Sequence, residues 1–140
     1  MATLALILAS PIAVGAAPAG QLEVELSNLR SGDGHVRLCL TANPKHFPNC
    51  KGDPAAHRLA APAASERLRF RNLPSGAYAL SVIHDENDNA QLDTFARIPR
   101  EGIGFSRNPV VRFGPPKFDA ACFTIGAGEA QQNVRIRYFL

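Results

Sequence analysis

In the stretch His84-Asp85-Glu86-Asn87-Asp88-Asn89-Ala90-Gln91-Leu92-Asp93, oxygen-bearing side chains recur at every second position, Asp85, Asn87 and Asn89, and return at Asp93. Hard divalent cations take about six to eight oxygen ligands at short range. A tight loop can aim alternate side chains inward while a backbone carbonyl, here that of Gln91, fills the gap. The spacing predicts one calcium ion held by Asp85, Asn87, Asn89, Gln91 and Asp93, with Glu101 of the following segment as a further ligand. Magnesium fits less well, because it demands near-octahedral geometry and keeps its waters. The competing reading is an Asx-rich turn, whose side chains bond their own backbone.

Other chemistry is sparser. His84 shares phase with Tyr78, Leu80 and Val82, so it points inward at the end of a strand and is expected to bond the 98–108 segment. A second functional reading is a small metal-dependent hydrolase, with Asp85, Asp93 and Glu101 holding the cation and His84 as base. Zinc is not indicated, since His35, His46, His57 and His84 show no paired spacing with Cys or carboxylate. There is no G-x-S-x-G nucleophile turn. The Gly-x-Gly of Glu101-Gly102-Ile103-Gly104-Phe105-Ser106 lacks a phosphate loop's Lys and following helix, and reads as a tight turn beneath Phe105.

The elements that must position these residues are short and two-periodic. Leu22, Val24 and Leu26 alternate with Glu23, Glu25 and Ser27, and Val36, Leu38 and Leu40 with Arg37, Cys39 and Thr41. Each run reads as a half-buried strand, and Ser31-Gly32-Asp33-Gly34 between them predicts a hairpin. Segment 43–64 holds four prolines and no sustained period, so it is expected as a long connection with at most one turn of helix. Strands follow at 67–71 and 77–83 across Asn72-Leu73-Pro74-Ser75-Gly76, a turn set by Pro and Gly. A second irregular stretch, 98–117, precedes a closing hairpin of 120–125 and 133–138 across Gly126-Ala127-Gly128. About seven short strands without helical periodicity predict an all-β, antiparallel β-sandwich with two long irregular loops.

At 140 residues, with 46% hydrophobic and 19% charged composition, the chain suffices for one core. Residues 1–19 carry no charge, run apolar from Leu4 to Val14 and end in Ala17-Pro18-Ala19. They read as a removable signal peptide, which leaves 20–140 as a single domain. No later segment is long and apolar enough to span a membrane, so the mature chain is expected to be exported, periplasmic or secreted, and soluble. The net charge of +3 is small. Arg67, Arg69, Arg71, Arg135 and Arg137 alternate with core residues as solvated strand faces, so a nucleic-acid surface is not expected.

Export favours disulfides, and three cysteines leave one over. Cys39 falls on the outward face of its strand, and Cys50 lies in the Pro-rich connection that must fold back over that face. A Cys39–Cys50 bridge is predicted, with Cys122 free.

Three blocks in order, His84-Asp85-Glu86-Asn87-x-Asn89, Ile98-Pro99-Arg100-Glu101-Gly102-Ile103-Gly104-Phe105-Ser106-Arg107-Asn108 and Phe113-Gly114-Pro115-Pro116-Lys117-Phe118, resemble a family of small exported bacterial proteins catalogued as a domain of unknown function. The resemblance implies a prealbumin (transthyretin)-like or carboxypeptidase-regulatory-like sandwich, envelope-associated, with no assigned reaction; the two long loops are expected to present a surface to an unidentified ligand or cell-envelope partner. The acidic loop also resembles that of the B-repeats of serine-aspartate surface adhesins, but Ala90 stands where a Gly commonly follows the third ligand, and Ala96 where an acidic residue closes the loop. The expected function is therefore a non-catalytic module with a calcium-stabilised loop.

Overall fold

The computed structural model describes residues 9–12, 18–92 and 98–140, with the backbone of Thr94 and Phe95. Most of the expected leader and the predicted ligand Asp93 lie outside the described residues. Among the described residues ten strands are formed: β1 (Gly20–Ser27), β2 (His35–Thr41), β3 (His57–Pro62), β4 (Arg67–Leu73), β5 (Gly76–Asp85), β6 (Thr94–Phe95), β7 (Ile98–Pro99), β8 (Gly102–Phe105), β9 (Phe123–Ile125) and β10 (Glu129–Arg135). A short helix, α1 (Phe118–Ala121), precedes β9, and Pro44–His46 makes a single 3-10 turn. One sheet has the order β10-β1-β4 and the other β3-β2-β5-β8, with β9 also on β5, while β6 and β7 pair with each other.

The chain is an all-β sandwich. The inward residues of its alternating strands meet in one core: Leu22, Val24 and Leu26 from β1, Leu68 and Phe70 from β4, and Val134 from β10, against Val36, Leu38 and Leu40 from β2 and Leu80 and Val82 from β5. Such apolar burial is the main term favouring the folded state.

Strand pairing departs from the expected hairpins. β1 and β2 lie in different sheets, as do β9 and β10, so the Ser31–Gly34 and Gly126–Gly128 turns are arches across the core. Turn chemistry specifies a reversal, but alternation gives each strand only one buried face, and that face is buried equally well when the chain crosses between sheets. Nor is the sandwich wholly antiparallel, because β1 pairs with β10 in parallel. Parallel neighbours need a long crossover, and here nearly the whole chain supplies it.

Among the described residues three strands lie in the segments expected to be irregular, β3 in the first and β7 and β8 in the second. β3 forms the edge beside β2, and its Pro62 sits at the strand's end, where a missing N–H is tolerated. β8 is buried along its length and shows no alternation. Its glycines do not serve a turn. A Cβ on Gly102 would stand 2.5 Å from Ile136, and one on Gly104 2.6 Å from Val134, so their absence lets β8 close against the other sheet.

β5 is buried on both faces. Its outer face is covered by the two long connections, where Phe47 meets Phe105 and Phe118 edge-on at centroid distances of 5.9 and 6.1 Å over Ala79, Ile103 and Ala121. The predicted Cys39–Cys50 disulfide is formed and ties the first connection to β2, and Cys122 is free. Around the bridge, the Thr41 hydroxyl donates to Asp53 at 2.5 Å, Ser81 donates to the Pro48 carbonyl at 2.5 Å, and the Arg58 guanidinium donates to the Cys50 carbonyl.

Replacing Cys39 and Cys50 together by Ser is expected to cost about 3 kcal/mol, the loop-closure value for so short a loop. Urea unfolding measures it. Alkylation without reduction should label Cys122 alone; a second labelled cysteine in the folded protein would refute the pairing.

Candidate functional site: the polar end of β5

β5 ends in His84-Asp85, one side chain on each face. His84 follows Tyr78, Leu80 and Val82 on the core side and is fully buried. Its Nε2 lies 2.8 Å from the Asp33 carbonyl and its Nδ1 2.7 Å from the Tyr138 hydroxyl. A carbonyl only accepts, so Nε2 carries the hydrogen, and in the neutral ring this leaves Nδ1 as the acceptor of the Tyr138 hydroxyl. The hydroxyl in turn accepts the Arg30 N–H at 3.1 Å, and burial pushes its pKa up, so it stays a donor. The His84 side chain thus ties the 28–34 arch to the C-terminal tail, while its backbone pairs with Gly102 of the 98–108 segment. Its ring is enclosed and both nitrogens are engaged.

Asp85 faces the other way, in phase with Arg37 on β2. Arg37 pairs with Ile83 in the ladder, which puts Asp85 at the diagonal position, within reach of a long side chain. The Arg37 Nε donates to Asp85 Oδ2 at 2.7 Å, and the Asp85 side chain is wholly buried. The same carboxylate accepts the Ala90 N–H at 2.9 Å on Oδ2 and the Asn89 N–H at 3.2 Å on Oδ1. Burial by itself would raise this pKa, but the Arg37 hydrogen bond and the two backbone donors outweigh it and hold the carboxyl below its usual value. Asp88 and Ala90 adopt left-handed φ values of 55° and 59° to close the turn.

Glu86 is held by Arg30, at 2.6 Å from one guanidinium nitrogen and 2.8 Å from Nε, and by the Ser31 hydroxyl at 3.0 Å. The Arg30 hydrogen bond is the main reason its carboxyl also lies below the usual range. Arg30 stacks 4.4 Å above the Tyr138 ring and donates to the carbonyls of Leu140 at 2.9 Å and Arg100 at 3.3 Å. One guanidinium therefore links the acidic loop, the segment before β8 and the tail.

The remaining predicted ligands are placed less uniformly. Asn87, Asn89 and Gln91 are exposed. The Asn87 Oδ1 accepts the Asn89 N–H at 3.3 Å and the Asn89 Oδ1 accepts the Gln91 N–H at 3.0 Å. Glu101 is buried and directly precedes Gly102, whose pairing with His84 ends the β5–β8 ladder, so it lies at the same end of the sheet as Asp85. Among the described residues no three of His, Cys, Asp and Glu stand close enough together to hold a metal ion. The partners that sequence reasoning missed are Arg30, Arg37, Asp33 and Tyr138. Tyr138 carried a signal, since it shares inward phase with Val134 and Ile136 and a buried phenol needs a polar partner; Arg30, in a turn, carried none.

Removing Arg37 leaves the buried Asp85 carboxylate without its cation, and Arg37→Gln is expected to cost roughly 3 kcal/mol, as breaking one side of a buried pair does. The pH dependence has a definite sign. Both carboxyls are held below their unfolded values, so the unfolded chain takes up protons first as pH falls through about 4, and stability is lost toward lower pH. Melting temperatures recorded from pH 6 to pH 3 should fall, less steeply in Asp85→Asn; parallel curves for the two proteins would contradict the role given to Asp85.

Among curated proteins none matches the chain, and among solved structures none does either. A family match covers residues 24–133, from within β1 into β10, and so takes in His84, Asp85, Glu86, Glu101, Arg30 and Arg37. With well over half of its length matched, the chain belongs to the bacterial family described as "Uncharacterized protein conserved in bacteria (DUF2141)".

Proposed function

We propose that the protein is an exported, non-catalytic β-sandwich that presents a surface to a ligand or cell-envelope partner, with calcium as a weak ligand of the 85–93 loop. The observation that carries this reading is the state of the polar groups at the end of β5. Both nitrogens of the buried His84 and both oxygens of Asp85 are taken up by partners that join separate segments. That is the construction of a holdfast. A general base must reach a substrate proton, and an enclosed ring whose nitrogens are spoken for favours the binding module over the hydrolase. The disulfide fits an oxidising compartment, and among the described residues no helix is long and apolar enough to cross a membrane.

Calcium would draw on Asn87, Asn89, the Gln91 carbonyl and Asp93, with Asp85 shared with Arg37 and Glu101 at the same end. Because Arg37 already serves Asp85, affinity falls in the ~10⁻⁴–10⁻³ M range of extracellular modules. The bonds that Asn87 and Asn89 accept from backbone N–H groups support a second reading, an Asx-rich turn without a metal.

Calorimetry and melting with and without millimolar calcium separate the two. A folded-state ligand raises the melting temperature by mass action, and a rise abolished by Asn87→Ala with Asp93→Ala supports calcium. Asp85→Ala does not serve here, since it also breaks the Arg37 clamp. Absence of both heat and shift in the unmutated chain assigns the loop to its Asx bonds alone.

A further inference from the structure

We propose that the 107–117 loop is a membrane-contact element that seats Val110 and Phe113 in the interfacial layer of a bilayer rich in anionic phospholipid. Phe113 is 101% and Val110 67% exposed. An isolated apolar side chain at a surface needs no explanation, but these two stand three positions apart beside Pro109 and Pro115. Their neighbours are cations: Arg107, Arg112 and Lys117 are all exposed, and between Glu101 and Asp119 the chain has no acidic residue. An apolar tip bracketed by positive charge matches a surface that is apolar beneath and anionic above.

The backbone suits the same surface. Pro109, Pro115 and Pro116 have no N–H, so the tip carries fewer donors to dehydrate on entering an apolar layer. Its base is fixed. The Asn108 side chain donates to the Asn133 carbonyl at 2.8 Å and accepts the Arg135 N–H at 2.9 Å, the Arg107 N–H donates to Gln132 at 3.1 Å, and Val111 and Phe118 pack into the outer core. Little ordering is therefore left to occur on binding. Arg135 and Arg137 line a small cleft with Pro109 and Val111 and extend the positive surface. A protein partner is less well matched, since a stable interface covers about 800 Å² per side, far more than two side chains offer. The β5–β8 ladder is antiparallel, so this loop leaves toward the start of β5, away from Asp85, and the inference is independent of the calcium reading.

The chain contains no Trp, so Phe113→Trp in the full chain places one fluorophore at the tip. Phosphatidylcholine vesicles containing phosphatidylglycerol, at low ionic strength, should shift its emission to the blue and allow quenching by brominated lipid; phosphatidylcholine alone should do so far less. In co-sedimentation, Phe113→Ala should weaken binding to the anionic vesicles about tenfold, and Arg112→Gln and Lys117→Gln about fivefold each, with melting temperatures unchanged because none of these side chains holds the core. The proposal is overturned if the emission does not move, if it moves equally with neutral vesicles, or if Phe113→Ala sediments like the unmutated chain, which would place any binding on another face or with another kind of partner.

Discussion

A strand buried on both faces needs an apolar cover on each side and a partner for every polar side chain it carries, and β5 imposes both conditions on this molecule. Its inner face is met by the opposite sheet. Its outer face is covered by the two long connections, with Phe47, Phe105 and Phe118 as the apolar content. Chain without regular structure is costly to order. The Cys39–Cys50 bridge and the bonds of Thr41, Ser81 and Arg58 are what keep the first connection in place.

The second condition shapes the end of the strand. A carboxylate wholly removed from water requires a cation and hydrogen-bond donors, and Asp85 obtains them from a neighbouring strand and from its own loop. The segments drawn together by Asp85, Glu86, His84, Arg30 and Tyr138 are remote in sequence: the 28–34 arch, the acidic loop, the approach to β8 and the tail. Because the bonds form a connected set, loss of one member leaves others buried and unsatisfied.

The 98–117 stretch serves two different purposes. Its first half forms a buried strand whose glycines admit side chains from the opposite sheet. Ser106 then joins β5 to α1, bonding the Leu80 N–H at 3.0 Å and the Ala121 carbonyl at 2.5 Å. Beyond it the chain turns outward and leaves Phe113 in solvent. Rigid support directly beneath an exposed apolar tip is the arrangement expected of a contact surface.

The sequence by itself determined what depends on local phase. Alternation identified the core-facing side of β1, β2 and β5, hence the sandwich, the inward His84, and the outward Cys39 placed to meet a returning connection at Cys50. The cluster of Asp and Asn located the loop at the end of β5. Which strands became neighbours was decided only in the tertiary structure, because a side chain's period reports the face it turns to the core and not the chain that lies beside it. For that reason the two arches, the parallel β1–β10 pair and the edge strand β3 were not legible, and β8, buried throughout, showed no period to read. The partners of Asp85 and His84 were hidden in the same way: the need for a cation and a donor is written in the residue type, but Arg37 and Tyr138 meet it only once the chain has folded.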